Sequence, residues 1–128
     1  MIEYATVFVD PASAPPLAPA DQPIDVTHLA RMTLGDLSLE REVLQLYDRQ
    51  AEMLLERIQR AAPSGAAAYA HTLKGSSRGI GAWHVAGAAE AVEFAVNSGN
   101  ADIGSAIGKL GSAIGEARAV IAELLRAH

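Results

Sequence analysis

Apolar side chains recur at helical spacing in two long stretches of the chain. From position 37 they follow steps of three, four and seven residues, on the line Leu37, Leu44, Tyr47, Ala51, Leu54 and Ile58. Near the carboxyl end the corresponding line is Ile103, Ile107, Leu110, Ile114, Ile121 and Leu124. Such spacing places apolar residues on one side of a helix. The pattern predicts two long amphipathic helices, the second of them over residues 101–125.

The apolar face of the first long helix is wider than this one line. Four further apolar residues lie beside it, namely Leu39, Val43, Leu46 and Met53. A wide apolar face can be buried against more than one neighbour. We therefore expect this helix to pack against two others.

A short helix is predicted before the first long one. Asp25 is suited to cap its amino end, and Ile24 and Leu29 occupy the two positions of a hydrophobic staple. The short helix is expected to end within residues 32–35.

Proline and glycine divide the chain between the two long helices. The sequence "PSG" at 63–65 is expected to stop one helix, so that the next begins at Ala66. Gly79 and Gly81 mark the end of that helix, and a further helix is predicted over 82–96. The fold class is therefore all-α, and the economical packing is an up-and-down four-helix bundle with a short extra N-terminal helix.

Composition indicates one helical domain with a tail in front of it. The chain has 128 residues, of which 50% are hydrophobic and only 5% aromatic, so small aliphatic side chains must fill the core. Residues 1–23 hold five of the six prolines, which predicts a Pro/Ala-rich flexible N-terminal tail. The bundle is then expected over residues 24–128.

Charge, cysteine content and hydropathy argue against several classes of function. A net charge of −5 disfavours a nucleic acid partner, because binding to phosphates requires clustered Lys and Arg. The chain contains no cysteine, which removes disulfides and thiolate metal sites. It shows neither a signal-peptide pattern nor an apolar run of about 18 residues, so we expect no membrane span and a cytoplasmic location.

One predicted helix carries a histidine on its polar side. At about 100° per residue, Lys74, Gly75 and Arg78 lie within about 60° of His71. Three apolar side chains point the opposite way, namely Tyr69, Leu73 and Ile80. Residues 57–89 contain four basic side chains and no Asp or Glu. We therefore expect His71 to be exposed on a locally positive surface.

This face suits a nucleophile that acquires negative charge. Three and four positions after His71 there is no His, Asp or Glu, so a metal site lacks further ligands there. The stretch also supplies no carboxylate to orient the ring for acid–base catalysis. A phosphoryl group on His71 would find Lys74 and Arg78 within two turns, with Gly75 leaving space for a partner. On geometry and charge alone, an ordinary solvated histidine remains the alternative.

The run "AHTLKGSSRGIGA" at 70–82 contains several further residues that form a motif with His71. Its members are His71, Leu73, Lys74, Gly75, Ser76, Ser77, Gly81 and Ala82, followed by Val85 and by the pair Val92 and Glu93. This combination resembles the signature of histidine-containing phosphotransfer (HPt) domains. The similarity of arrangement extends over residues 24–126.

The resemblance implies a monomeric four-helix bundle whose His71 exchanges a phosphoryl group with an aspartate of a response-regulator receiver domain. It implies that an upstream hybrid histidine kinase supplies the phosphoryl group and that the receiver, rather than this chain, holds Mg²⁺. The chain would be a phosphocarrier in a bacterial multistep phosphorelay. Because it contains no glycine-rich nucleotide-binding box, we expect no autonomous kinase activity.

Four neighbours of His71 receive expected roles. By resemblance, Lys74 neutralises the phosphoryl oxygens and Gly75 gives access to the ring. Ser77 falls toward the flank of the helix, where its hydroxyl is expected to bond a carbonyl one turn back. The role of Arg78 as a second stabilising cation is inferred from the helical projection.

The expected docking surface for the receiver has an apolar part and a basic part. The apolar part is a patch of small residues, namely Ala67, Gly75, Gly79 and Ala82. The basic part is formed by Lys74, Arg78 and Arg60. This combination is suited to a transient, salt-sensitive contact.

A line of glycines in the last helix bears on the alternative function. Gly104, Gly108, Gly111 and Gly115 share one face, where close helix packing or fraying is the expected explanation. The alternative to a phosphocarrier is a non-phosphorylated helical interaction module that binds receiver domains or homodimerises, the latter through this glycine face. The intact His-x-x-Lys-Gly run argues against such a loss of function.

Overall fold

In a computed structural model, residues 22–99 and 102–127 are described, and within them all regular structure is helical. The helices are α1 (Val26–Met32), α2 (Leu37–Arg60), α3 (Pro63–Ile80), α4 (Trp83–Asn97) and α5 (Ile103–Ala127). The all-α prediction is confirmed. The tail predicted over 1–23 lies outside the described residues up to position 21, as does the predicted start of the last helix at 101.

The boundary between α2 and α3 differs from the prediction. The helix α3 begins at Pro63 and not at Ala66. Proline is well tolerated at the first position of a helix, because its missing N–H would have no partner within the helix. The sequence "PSG" therefore starts one helix instead of ending another.

The four long helices close into a bundle. Each packs against the next along the chain, and α5 returns to pack against α2. Ten apolar residues in the interior have no exposed surface, namely Leu29, Leu44, Ala51, Ala70, Leu73, Ala82, Val85, Ala89, Val92 and Leu110. Four of these ten are alanines, in line with the expected core of small side chains. The wide face of α2 packs against two helices, α3 and α5, as predicted.

A buried polar network fastens α1 to the turn between α3 and α4. The Asp25 carboxylate accepts the backbone N–H of His28 at 3.0 Å, which is the predicted cap, and the indole N–H of Trp83 at 2.9 Å. Burial alone would raise the pKa of Asp25, but the hydrogen bonds from Trp83 and His28 outweigh it and the pKa is lowered. The His28 Nε2 lies 3.0 Å from the carbonyl oxygen of Gly79, near the end of α3.

Gly81 is required at this turn for two reasons. Its φ is +87°, a left-handed backbone conformation that residues other than glycine rarely adopt. A Cβ at this position would also lie 3.0 Å from the carbonyl oxygen of Asp25. The backbone N–H of Asp25 meanwhile donates to the Gly81 carbonyl at 2.9 Å, so the two chain segments are in direct contact.

Close packing does not explain the glycine line in α5. A Cβ added at Gly104, Gly108 or Gly115 would meet nothing within 4 Å. At Gly111 a Cβ would make an ordinary contact with Leu55 at 3.9 Å. The packing expectation is therefore wrong, since this face has room for side chains.

Replacing one of these glycines should stabilise the fold. We expect Gly108→Ala to raise the free energy of unfolding by about 0.5 to 1 kcal/mol, because alanine restricts the unfolded chain and finds open space in the folded one. The matched variant Gly81→Ala should lower it by more than about 1 kcal/mol. Urea denaturation followed by circular dichroism measures both. A loss of stability in Gly108→Ala would contradict this account of α5.

Candidate functional site

His71 projects from the middle of α3 into solvent. Its side chain is 70% exposed, as the helical projection predicts. Leu73 and Ile80, predicted to point the other way, are buried, and Tyr69 is half-buried. The imidazole is thus held on the surface by a helix whose opposite side is anchored in the core.

A single carboxylate from α4 contacts both His71 and Lys74. The Glu93 Oε2 lies 2.8 Å from His71 Nδ1, and its Oε1 lies 2.7 Å from Lys74 Nζ. The contacts arise because α4 turns back at Gly81 and packs along α3. The side chains of Glu93 and Lys74 are only 17% and 16% exposed, so this pair is partly sheltered from water beneath an exposed ring.

The ionisation of Glu93 determines where the histidine carries its proton. Burial alone would raise the pKa of Glu93, but hydrogen bonds from Lys74 and His71, together with their charges, outweigh it and the pKa is lowered. An ionised carboxylate has no proton to donate, so Nδ1 of His71 must be the donor in this contact. In neutral His71 the lone pair is therefore on Nε2.

The prediction of a locally positive surface around His71 is wrong. Residues 57–89 carry no acidic side chain, but the next helix places Glu90 and Glu93 beside the same face. The surface is therefore one of paired charges, and an orienting carboxylate is present. The sequence pattern already contained the pair Val92 and Glu93. The pattern alone did not show that Glu93 contacts His71.

The other residues on the face of His71 are exposed. Arg78 Nη2 lies 3.7 Å from Glu90 Oε2, with more than half of each side chain exposed. A Cβ at Gly75 would meet nothing within 4 Å, so this glycine serves no packing need inside the chain. It leaves open surface one turn from His71.

Ser77 lies in the core and not on the flank of the helix. Its side chain is fully buried, and its Oγ is 2.6 Å from the phenolic oxygen of Tyr47 on α2. The expected bond to a carbonyl one turn back is replaced by this contact between helices. Ser77 therefore does not share the surface of His71, and its role is to join α3 to α2.

The predicted docking patch is only partly accessible. Ala82 has no exposed surface, because it caps α4 within the core, so its place in the patch is wrong. Ala67 and Gly79 are half-buried, and Arg60 is exposed at the end of α2. Gly75 and these three remain available on the surface.

An apolar groove between α2 and α3 was not predicted. It has a volume of about 400 Å³ and is lined by Val43, Leu46, Tyr47, Gln50, Ser76 and Ile80. The side chain of Leu46 is 59% exposed, although the width of the apolar face on α2 had placed it among residues buried against neighbours. Leu39 and Met53 are also exposed, at 40% and 41%. The width of that face does not by itself show which of its apolar residues stay exposed.

Comparison with known proteins assigns the family. Residues 42–127 match the family model of the Hpt domain, which is more than half of the chain, and the chain therefore belongs to the Hpt domain family. Hpt domains are helical bundles that act as phosphocarriers in histidine phosphotransfer and interact with receiver domains and kinases. Searches of the curated proteins and of the solved structures each found no match.

The described residues hold neither a membrane-spanning helix nor a cluster of metal ligands. Within 22–99 and 102–127, no helix is both long and apolar enough to cross a membrane. Over the same residues, no group of three or more His, Cys, Asp or Glu side chains is arranged to hold a metal ion.

The contact between Tyr47 and Ser77 predicts a loss of stability in alkali. Burial raises the pKa of Tyr47 to about 12, although the hydrogen bond with Ser77 acts in the opposite direction. Because the pKa is higher in the folded state, the phenol contributes fully below its unfolded value of 10.0, and this contribution is lost as the pH rises toward 12. The wild type should lose about 2 to 3 kcal/mol over that range through this group.

The variant Tyr47→Phe should lack this alkaline component. At neutral pH it should be less stable by about 1 to 2 kcal/mol, because the Ser77 hydroxyl is left buried without its partner. Urea denaturation at several pH values measures both effects, with Tyr69→Phe as the control that keeps the wild-type slope. Equal slopes for wild type and Tyr47→Phe would contradict the assignment.

Proposed function

We propose that this protein is a histidine phosphocarrier of a bacterial multistep phosphorelay, with Nε2 of His71 as the phosphoryl acceptor. The observation that carries the proposal is the contact between Glu93 and His71 Nδ1 at 2.8 Å. It leaves the lone pair on the other ring nitrogen of an exposed side chain. A nucleophile must present such a lone pair to a large partner.

The proposed reaction moves one phosphoryl group between two proteins. The Nε2 lone pair attacks phosphorus in the aspartyl phosphate of a receiver domain. The N–P bond forms as the bond between phosphorus and the aspartyl oxygen breaks, and aspartate leaves as a carboxylate. The reverse step returns the electron pair of the N–P bond to Nε2, so that the same residue serves transfer in either direction.

Two cations are within reach of a phosphoryl group on His71. Lys74 is held beside the ring by Glu93, and Arg78 follows one turn later on α3. A phosphoryl group brings close to two negative charges and strong acceptor oxygens, which attract both cations. Since each cation already has a carboxylate partner, the phosphoryl group competes with Glu93 for Lys74 and with Glu90 for Arg78.

The remaining chemistry is proposed to lie with the partners. The receiver domain would hold Mg²⁺, and a hybrid histidine kinase would supply the phosphoryl group. This chain would contribute no cofactor and no kinase activity of its own. It would act as a monomer in the cytoplasm, because a carrier must reach both partners by diffusion.

We further propose that the receiver docks on the α2 side of His71. The α4 side carries Glu90 and Glu93, whereas the α2 side has the apolar groove containing Leu46. An aspartate-bearing partner meets fewer like charges on the apolar side. The small residues Gly75 and Gly79 continue this surface along α3, whereas Ala67 lies on the Lys74 side of His71. Arg60 is exposed at the end of α2.

Removing the acceptor should abolish transfer. We expect wild-type protein incubated with a phosphorylated receiver domain to acquire acid-labile radiolabelled phosphate, and His71→Gln to acquire none. The matched control His84→Gln should be labelled like the wild type. Absence of label from folded wild type across several receivers would instead support the non-phosphorylated interaction module that binds receiver domains or homodimerises.

A charge in the groove should weaken docking without altering the chemistry. We expect Leu46→Asp to raise the receiver concentration needed for half-maximal transfer by about tenfold or more, with the maximal rate unchanged. The control Phe94→Asp changes another exposed apolar residue, on α4, and should behave like the wild type. Equal losses in both variants would place the docking surface elsewhere.

A further inference from the structure

Glu93 combines two properties that bear on the phosphorylated state of His71. It is the carboxylate in contact with the imidazole, and it is far less exposed than the ring that it holds. A hydrogen bond to a charged group is stronger where water is partly excluded. The contact is therefore suited to hold a proton on Nδ1 as well as to orient the ring.

The chemistry of an N–P bond makes that proton important. If Nδ1 is protonated, the ring leaves phosphorus as neutral imidazole. If Nδ1 has lost its proton, the ring must leave as an anion, which is a much poorer leaving group. A phosphorylated ring with a proton on Nδ1 is itself a cation, so an adjacent carboxylate favours that form over the deprotonated one.

We propose that Glu93 is a positioning residue that retains the Nδ1 proton on phosphorylated His71, and so extends phosphoryl transfer to higher pH. This inference rests on the proposed function, because it concerns the intermediate of that reaction. During attack the proton stays on Nδ1 and the ring becomes cationic beside Glu93. During release the electron pair returns to Nε2, and the ring becomes neutral with the same proton in place.

The other charged groups near the ring are already engaged. On α3, Lys74 is paired with Glu93, and Arg78 is paired with Glu90 of α4. From α2, Arg57 lies over the Tyr69 ring at 5.8 Å, on the opposite side of α3 from His71. Among the described residues, Glu93 is the anion in direct contact with the imidazole.

The variant Glu93→Gln removes the negative charge and keeps the size of the side chain. Its amide oxygen can still accept the hydrogen bond from Nδ1 of His71. The matched control is Glu90→Gln, which removes a carboxylate one turn away on the same helix. Each protein is phosphorylated chemically with phosphoramidate and then mixed with an unphosphorylated receiver domain. Loss of the N–P signal is followed by ³¹P NMR over a range of pH.

The expected result has two parts. The pH at which the rate falls to half its maximum should be lower in Glu93→Gln by about one unit or more, and unchanged in Glu90→Gln. Each rate is normalised to the maximum of its own protein, because the two substitutions also release Lys74 or Arg78. On that scale the three profiles should coincide at low pH, where the ring holds its proton without a carboxylate. A purely structural role for Glu93 would lower the rate at every pH and leave the midpoint in place.

Two outcomes would overturn the inference. One is a midpoint in Glu93→Gln equal to that of the wild type, and the other is an equal fall of the midpoint in Glu90→Gln. Failure of the proposed function itself looks different. Wild type labelled by phosphoramidate but never by a phosphorylated receiver would end the carrier proposal, while hydrolysis of the N–P bond across the same pH range would still test Glu93.

Discussion

The packing of α3 against α4 is the constraint on which the site depends. Ala70 on α3 and Ala89 on α4 both belong to the buried core, where small side chains allow neighbouring helices to approach closely. The turn at Gly81 sets the direction in which α4 returns. Together these features bring a carboxylate of one helix to a histidine and a lysine of the other. If α4 packed further from α3, Glu93 would be carried away from the ring.

The two sides of His71 differ in chemical character as a result. The α4 side is polar, with each cation of α3 matched by a carboxylate. The α2 side is apolar and has the groove that Leu46 of α2 helps to line. The histidine therefore lies on a boundary between a polar and an apolar surface. A partner that contacts both sides would be held in one orientation relative to the reactive histidine.

Much of this fold follows from local sequence information. The periodicity of apolar residues locates the long helices, and the Asp25 cap and the exposure of His71 depend on neighbours within a few positions. Contacts between helices do not follow from such information. A helical projection gives the direction of Ser77 relative to its own axis, but not that Tyr47 faces it from another helix. For the same reason the exposure of Leu46, the burial of Ala82 and the contact of Glu93 with His71 could not be predicted.

The attachment of α1 also determines how the molecule opens. Asp25 is 1% exposed and joins α1 to Trp83 at the start of α4, while His28 joins it to Gly79 near the end of α3. Releasing α1 would expose a carboxylate, an indole and a free helix carbonyl together. These elements should therefore exchange their amide hydrogens as one cooperative unit. The slowest motions of α3 would then be set by α1, a segment that lies before the matched family region.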